Sequence, residues 1–318
     1  MSSARRWIVR AGDETGGVDA VALRMGPAGR GAVESGRAFV NGVRAATGAS
    51  VKIGDMVEVW AARPVAVGTD LEPTILAQRG EVLFALKPAS LPTEPERRGG
   101  DALVTRLARL LGVQRVHAAS RLDLGVSGVV ACATGPLGTT LLARARESGR
   151  YRRVYLAIAG GHLEGQGTWD GAIEGRRAQT AWATRGGARD ATWLELELDT
   201  GRTHQIRIHA KVAEHPLIGD KAYGGRAAIT AASGSIIEPR RIMLHAVAAR
   251  LELPAHEGGP FEATAPVPDE MRSLWRALDG APAAWEEWRA PWSPSSPSSP
   301  SSPPAPPPPD SSATPQPR

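Results

Sequence analysis

Ser120-Arg121-Leu122-Asp123-Leu124-Gly125-Val126-Ser127-Gly128 runs straight into the apolar Val129-Val130-Ala131-Cys132-Ala133. A short apolar run of this kind reads as a buried strand. The polar loop ahead of it, with Arg and Asp two residues apart, therefore sets a charge pair at the edge of a core. Taken alone the loop is ambiguous. Gly125 and Gly128 can serve unusual backbone angles. On this loop alone, Asp123 reads first as half of a structural ion pair and second as a functional carboxylate.

Upstream, Glu81-Val82-Leu83-Phe84-Ala85-Leu86 stops at Lys87-Pro88, a second buried strand ending in a loop. Asp101 then precedes Leu103, Leu107, Leu110 and Leu111, with Gly112 after them. That is an expected N-cap, an apolar stripe at helical spacing and a glycine stop. Downstream, Val154 to Ala159, Thr192 to Leu198, Thr203 to His209 and Met243 to Leu253 alternate like strands. Helices enter irregularly, without a βαβ rhythm. The expected fold class is α+β, with a mixed, mainly antiparallel central sheet and flanking helices.

Three zones divide the 318 residues: a short module over 1–65, the long apolar segments over 66–290, and a Ser/Pro-rich tail over 291–318. The tail has too little apolar surface to offset its ordering entropy and is expected to be disordered. In the first zone, Val18 to Gly36 reads as weakly helical, interrupted by Gly26-Pro27 and Gly29. Phe39-Val40-Asn41-Gly42, Val51-Lys52-Ile53-Gly54-Asp55 and Val57-Glu58-Val59-Trp60 then read as short strands joined by turns. This zone resembles the S4-type RNA-binding module, more closely in its second half than in its Gly- and Pro-broken first half.

A second polar cluster is Thr200-Gly201-Arg202-Thr203-His204-Gln205-Ile206-Arg207-Ile208-His209. As a strand it places Gln205, Arg207 and His209 on one face and His204 on the other. The two histidines would then point apart, which argues against a metal pair here. Arg207 between two isoleucines needs an anion, either a carboxylate or a phosphate. Asp123 is an obvious candidate. Asp220, in the turn-rich stretch from His215 to Gly224, is expected to cap backbone.

Composition excludes several classes. Cys132 is the only cysteine, which rules out an intrachain disulfide and a multi-cysteine zinc site. No stretch is long and apolar enough to span a membrane, and charged residues interrupt any apolar signal core near the N-terminus. A cytoplasmic, soluble protein is expected, with no membrane partner. The formal charge of +5 is carried almost wholly by arginine, since Lys52, Lys87, Lys211 and Lys221 are the only lysines. Arginine suits bidentate phosphate contact and base stacking, so the composition permits an RNA partner.

Together these segments resemble the RluA-type family of RNA pseudouridine synthases. That family's Lys-Pro strand end matches Lys87-Pro88. Its His-Arg-Leu-Asp loop before Thr-Ser-Gly matches Arg121-Leu122-Asp123 and Ser127-Gly128. Its basic-x-Tyr-x-Ala strand matches Arg153 to Ala157, and its Gly-Arg-Thr-His-Gln-Ile-Arg-x-His segment matches Gly201 to His209. Its Pro-x-x-Gly-Asp-x-x-Tyr turn matches Pro216 to Tyr223, and its Leu-His-Ala strand matches Leu244-His245-Ala246. Six motifs in order, over about residues 75 to 268, make a specific signal. Ser120 and Val126 depart from the family's His and Thr.

The resemblance implies isomerisation of uridine to pseudouridine in structured RNA, ribosomal or transfer, by a monomer with no metal and no cofactor. Asp123 would be the carboxylate at C1′, acting by covalent attack or by taking a ribose proton to give a glycal. Arg207 would be its partner, and Tyr155 would stack under a flipped uracil. Arg121 would fill the gap left by the base, with phosphate contact as the plainer alternative. Arg202, His204 and Gln205, with Arg37 and Lys52 of the first zone, are expected RNA contacts. Rival readings are a catalytically reduced RNA-binding or ribosome-assembly protein on the same fold, and a hydrolase pairing Asp123 with Asp220.

Overall fold

The computed structural model describes residues 5–26, 29, 32–33, 37–59, 72–96, 99–198 and 200–292. The first elements are β1 (Arg5–Ile8), α1 (Gly17–Arg24), β2 (Ala38–Val40), β3 (Val43–Arg44) and β4 (Met56–Val59). Their strands form one antiparallel sheet in the order β1-β4-β2-β3. Val18, Val21 and Ala22 of α1 are buried with Ala38, Val57 and Val59, a small core of their own. The expected Asn41-Gly42 turn joins β2 to β3, with both residues at positive φ, 49° and 82°. Asn41 also donates to Asp55 Oδ1 at 2.8 Å and accepts from the Met56 N–H at 2.9 Å, so this turn and the Gly54-Asp55 turn brace each other. Of the expected helical stretch, α1 covers Gly17–Arg24. Pro27 and Gly36 within it, and Trp60 after β4, lie outside the described residues.

The rest of the chain builds β5 (Thr74–Arg79), β6 (Val82–Lys87), α2 (Leu103–Leu111), β7 (His117–Ala118), β8 (Ser127–Ala133), α3 (Pro136–Glu147) and β9 (Tyr151–Gly160). There follow β10 (Gln166–Trp169), β11 (Thr180–Ala188), β12 (Ala191–Leu198) and α4 (Gln205–Val212). The chain continues with β13 (Ile229–Thr230), β14 (Ile236–Ile237), β15 (Leu244–Leu251), β16 (Phe261–Thr264), α5 (Asp269–Ala277) and α6 (Ala283–Glu286). A ten-stranded sheet runs β10-β11-β12-β9-β15-β8-β6-β5, with β16 on β15 and β7 on β8. Its pairings are antiparallel except β15 with β8. The architecture is the α+β one expected.

Strand alternation divides the packing into faces. Leu83 and Ala85 of β6, Val130 and Cys132 of β8, Tyr155 and Ala157 of β9, and Leu194 and Leu196 of β12 share one continuous apolar layer with α2 and α4. Behind the sheet the core splits in two. Trp193 of β12 packs with Trp275 of α5 and Trp285 of α6. Phe84 of β6, Leu142 of α3 and Phe261 of β16 form the other half. Cys132 is fully buried, and burial pushes its thiol up to about 12, so it is the inert small hydrophobe expected.

Two expectations need correction here. Residues 203–209 are not a strand: His204 takes a left-handed conformation at φ 55° and α4 starts at Gln205. Ile206 and Ala210, four residues apart, are the pair that enter the core, so the helical period wins over the alternation of Ile206 and Ile208. Asp101 does not cap α2. Ala102 precedes the helix and donates its N–H to Thr105 Oγ1 at 2.8 Å, while Asp101 accepts from Arg106 Nε at 2.6 Å. The glycine stop holds, with Gly112 left-handed at φ 65°. Of the tail, Pro291 and Trp292 are described, the Trp292 ring lying 5.4 Å from the Arg152 guanidinium and 5.9 Å from that of Arg250; the tail from 293 onward lies outside the described residues.

The parallel pairing is short, His245 with Ser127 and Ala246 with Gly128. Gly128 sits at φ +128°, and a Cβ there would collide with the backbone of Ala246. Gly128→Ala should therefore destabilise well beyond the roughly 1–2 kcal/mol of a left-handed conformation alone. Gly149→Ala, at φ +70° but facing open space, should cost only that backbone term. Thermal unfolding of the two variants measures the difference, and equal shifts in Tm would contradict the close approach.

Candidate active site

The loop before β8 is held from both sides. Thr93 Oγ1 accepts from the Leu122 N–H at 3.0 Å and donates to the Leu122 carbonyl at 2.9 Å. The Leu124 carbonyl accepts from the Ser90 N–H at 2.7 Å, and the Val126 N–H closes a turn onto the Asp123 carbonyl at 3.0 Å. Leu122 and Val126 are buried in the continuous apolar layer. Their anchoring leaves the Asp123 side chain, one quarter exposed, at the wall of a cavity of about 580 Å³. That volume lies within the range of small-molecule sites.

Arg207 is the centre of the site's electrostatics. Its Nη1 donates to Asp123 Oδ2 at 2.7 Å. Its Nε and Nη2 donate to Asp220 Oδ2 and Oδ1 at 2.6 and 2.8 Å, a bidentate pair. Burial alone would lower the guanidinium's pKa, but the hydrogen bonds and charges of the two carboxylates outweigh it and raise the value. The expected pairing of Asp123 with Arg207 is thus present. Asp220 is not a backbone cap: it is 1% exposed and is the second anion on Arg207. The apolar Leu217-Ile218 just ahead of Gly219-Asp220 was the available signal that this acid is buried and paired.

Tyr155 lines the same cavity from β9. Burial pushes its hydroxyl up to about 12 against the opposing pull of Arg153, so it is a protonated phenol at neutral pH. Arg121 is exposed at the rim and Arg202 is half-buried, donating to the Arg177 carbonyl at 3.1 Å. His204 lies 3.6 Å from Asp123 Oδ1 through Nε2. The helical course of α4 puts His204 and Arg207, three residues apart, on the side facing Asp123. His209 turns away, to Thr180 at 2.9 Å and the Gly171 carbonyl at 2.8 Å.

Two of the expected RNA contacts, Gln205 at the cavity wall and Arg37 in the first zone, are buried. Gln205 is buried with both ends of its amide used: Nε2 donates to the Gln179 carbonyl and Thr180 Oγ1, and Oε1 accepts from Thr200 Oγ1 and the Arg202 N–H. It fixes the approach to α4. Arg37 is buried beside Gly99, a position that suits a tie between the first zone and the second. Lys52 is exposed in the turn before β4. Among the described residues no group of acidic, His and Cys side chains is arranged to hold a metal, and no helix is long and apolar enough to cross a membrane.

The model of the RNA pseudouridylate synthase family matches residues 81–211, the span that carries Asp123, Tyr155 and Arg207. The chain is 32% identical over 281 residues to ribosomal large subunit pseudouridine synthase D of Xanthomonas campestris, covering 79% of this chain and 85% of that protein. The chain belongs to the RNA pseudouridine synthase family. The protein of the same name from Escherichia coli K12 is 31% identical over 229 residues, 64% of this chain and 70% of its own length. Human RNA pseudouridylate synthase domain containing 1 shares the fold, with a TM-score of 0.51 at 22% identity over 67% of this chain and 97% of that one. The enzyme is thus an isomerase of RNA uridines.

Lys87 is legible in the sequence only as a strand end before Pro88. It is fully buried, with Nζ donating to the Pro88 and Leu91 carbonyls at 2.9 and 2.7 Å. Burial lowers its pKa from 10.5 to about 7, with Asp123 opposing and Arg241 adding to the effect. Between those two values the unfolded chain holds a proton that the folded chain has released, so stability should rise with pH from about 7 toward 10.5. Lys87→Met removes that titration. The wild-type Tm relative to the variant should climb between pH 6.5 and 9.5; a difference that stays flat would mean Lys87 is charged throughout.

The Asp220 pairing makes a separate prediction. Asp220→Ala leaves a buried guanidinium with one carboxylate in place of two, and loss of one member of a buried ion pair typically costs about 3–5 kcal/mol. Asp220→Asn keeps an acceptor and should lose less. Urea unfolding of both variants checks the order, and a neutral Asp220→Ala would show that the pair contributes nothing to stability.

Proposed function

We propose that the enzyme converts uridine to pseudouridine in large-subunit ribosomal RNA, with Asp123 as the reacting carboxylate. The observation that carries this reading is the unequal treatment of the two Asp123 oxygens. Oδ2 is fixed by Arg207 at 2.7 Å, while Oδ1 has His204 Nε2 at 3.6 Å, beyond a formed hydrogen bond, and Asp123 lines one cavity with Tyr155, Arg121 and Arg202. The names of the bacterial relatives support ribosomal RNA as the substrate class.

In the proposed reaction the N1–C1′ bond breaks, the uracil turns and C5 joins C1′. The proton lost from C5 is balanced by one gained at N1, with no net redox change, so the reaction needs neither cofactor nor metal. Asp123 either attacks C1′ or removes a ribose proton to give a glycal. Tyr155 stacks on the extruded uracil and offers a neutral hydroxyl. Extrusion costs a few kcal/mol, least where the base is unstacked or in a loop, and Arg121 at the rim occupies the space left in the RNA. Residues 1–65 act as an S4-like RNA-binding module in which Lys52 is an exposed cation; the catalytic unit spans 66–290, and 291–318 is a tail outside the reaction. The enzyme works as a cytoplasmic monomer.

Release of tritium from C5-labelled uridine in a large-subunit ribosomal RNA transcript tests the assignment. Asp123→Asn should abolish release while RNA binding survives, because phosphate contacts elsewhere supply most of the affinity. Arg207→Lys, which keeps the charge but loses the planar fork, should fall between wild type and Arg207→Ala. Near-normal turnover by Asp123→Asn would remove Asp123 from the reaction. Arg207→Ala that only weakens RNA binding would make Arg207 a phosphate contact.

A further inference from the structure

Two residues of α4 and its N-terminus face Asp123, and each is held from behind by the same turn. Asp220 grips Arg207 through two hydrogen bonds. Three residues on, Tyr223 ends the short 3-10 turn Lys221–Tyr223, and its hydroxyl lies 2.8 Å from His204 Nδ1. The rings of His204 and Tyr223 meet edge to face at 5.7 Å. The Arg207 guanidinium lies over the Tyr223 ring at 4.6 Å. Tyr223 therefore touches both residues that approach Asp123.

Building on the reading of Asp123 as the reacting carboxylate, we propose that His204 is a positioning residue for it, set in one tautomer by the Tyr223 hydroxyl. A phenol that donates to Nδ1 leaves the proton of the neutral imidazole on Nε2. That N–H then faces Asp123 Oδ1 at 3.6 Å. The separation exceeds a formed hydrogen bond, and such contacts often tighten only when substrate is in place. With Arg207 on Oδ2 and His204 closing on Oδ1 when substrate is in place, two donors on different atoms fix the plane of the carboxylate. The opposite tautomer would turn a lone pair toward a carboxylate oxygen and push it away.

The conformation of His204 fits this role. It occupies the N-cap position of α4, but its side chain makes no capping bond. The left-handed φ of 55°, uncommon for a residue with a Cβ, turns the imidazole toward Tyr223 instead. His204 is 37% exposed at its side chain, so direct contact with RNA is the competing role, and the two make different kinetic predictions.

The test uses the full chain and the same tritiated ribosomal RNA transcript under single-turnover conditions. His204→Asn suits the left-handed backbone but is too short to reach Asp123. Its rate at saturating enzyme should fall on the order of 10–100-fold, as for a small misplacement of a reacting group, with RNA affinity unchanged. His204→Gln can return a donor to the Nε2 position and should recover most of the rate. Tyr223→Phe keeps the ring under Arg207 and removes only the tautomer lock; it should lose less than His204→Asn. The double variant should be no slower than His204→Asn alone, since the two act as a unit. Weakened RNA binding with an unchanged saturating rate in His204→Asn would overturn the proposal and make His204 an RNA contact. A full rate in Tyr223→Phe would overturn the tautomer lock. Asp123→Asn runs beside them: if that variant turns over, the failure lies in the choice of carboxylate and not in the positioning of His204.

Discussion

A single buried guanidinium shared by two carboxylates sets the geometry of the site. Arg207 donates three hydrogen bonds, one to Asp123 and two to Asp220, from a side chain that is 8% exposed. A cation so desolvated is tolerable only with its donors satisfied, and the surrounding chain is arranged to satisfy them. α4 must begin where it does, the loop before β8 must present Asp123, and the turn at 220 must approach from behind.

The sheet brings these pieces together at its one parallel pairing. β8 and β15 meet only over Ser127-Gly128 and His245-Ala246, and Ser127 Oγ lies 2.8 Å from His245 Nδ1 in the buried seam. Burial lowers the pKa of His245 to about 3, so that ring is neutral. Arg241 reaches the same serine at 3.2 Å. The two halves of the sheet thus join immediately behind the loop that carries Asp123. The apolar layer that runs across both halves is also the layer from which Tyr155 enters the cavity.

Much of this is legible in the sequence. The apolar runs at 82–86 and 129–133 are buried strands, the Asn41-Gly42 and Gly112 signals fall where turn and cap chemistry require, and the motif order pointed to the family now shown by its relatives. What failed did so for physical reasons. Ile206, Arg207 and Ile208 fit a strand's alternation over too few residues to exclude a helix, and only packing of Ile206 with Ala210 decides the period. Asp220 looked like a turn residue because its partner is thirteen positions away and across a turn. The partners of Gln205 and Arg37 were not legible either: the Gln205 amide is taken up by backbone and Thr groups at the cavity wall, and Arg37 lies beside Gly99. Local pattern gives residue type and period; it does not give the neighbours that tertiary packing supplies.

The most direct test of the central claim is a map of pseudouridine across ribosomal and transfer RNA from cells with the gene, without it, and with the gene restored as wild type or as Asp123→Asn. The account predicts that one or more pseudouridines in large-subunit ribosomal RNA vanish without the gene, return with the wild type and stay absent with Asp123→Asn. An unchanged map in the deletion, or sites restored by Asp123→Asn, would contradict it.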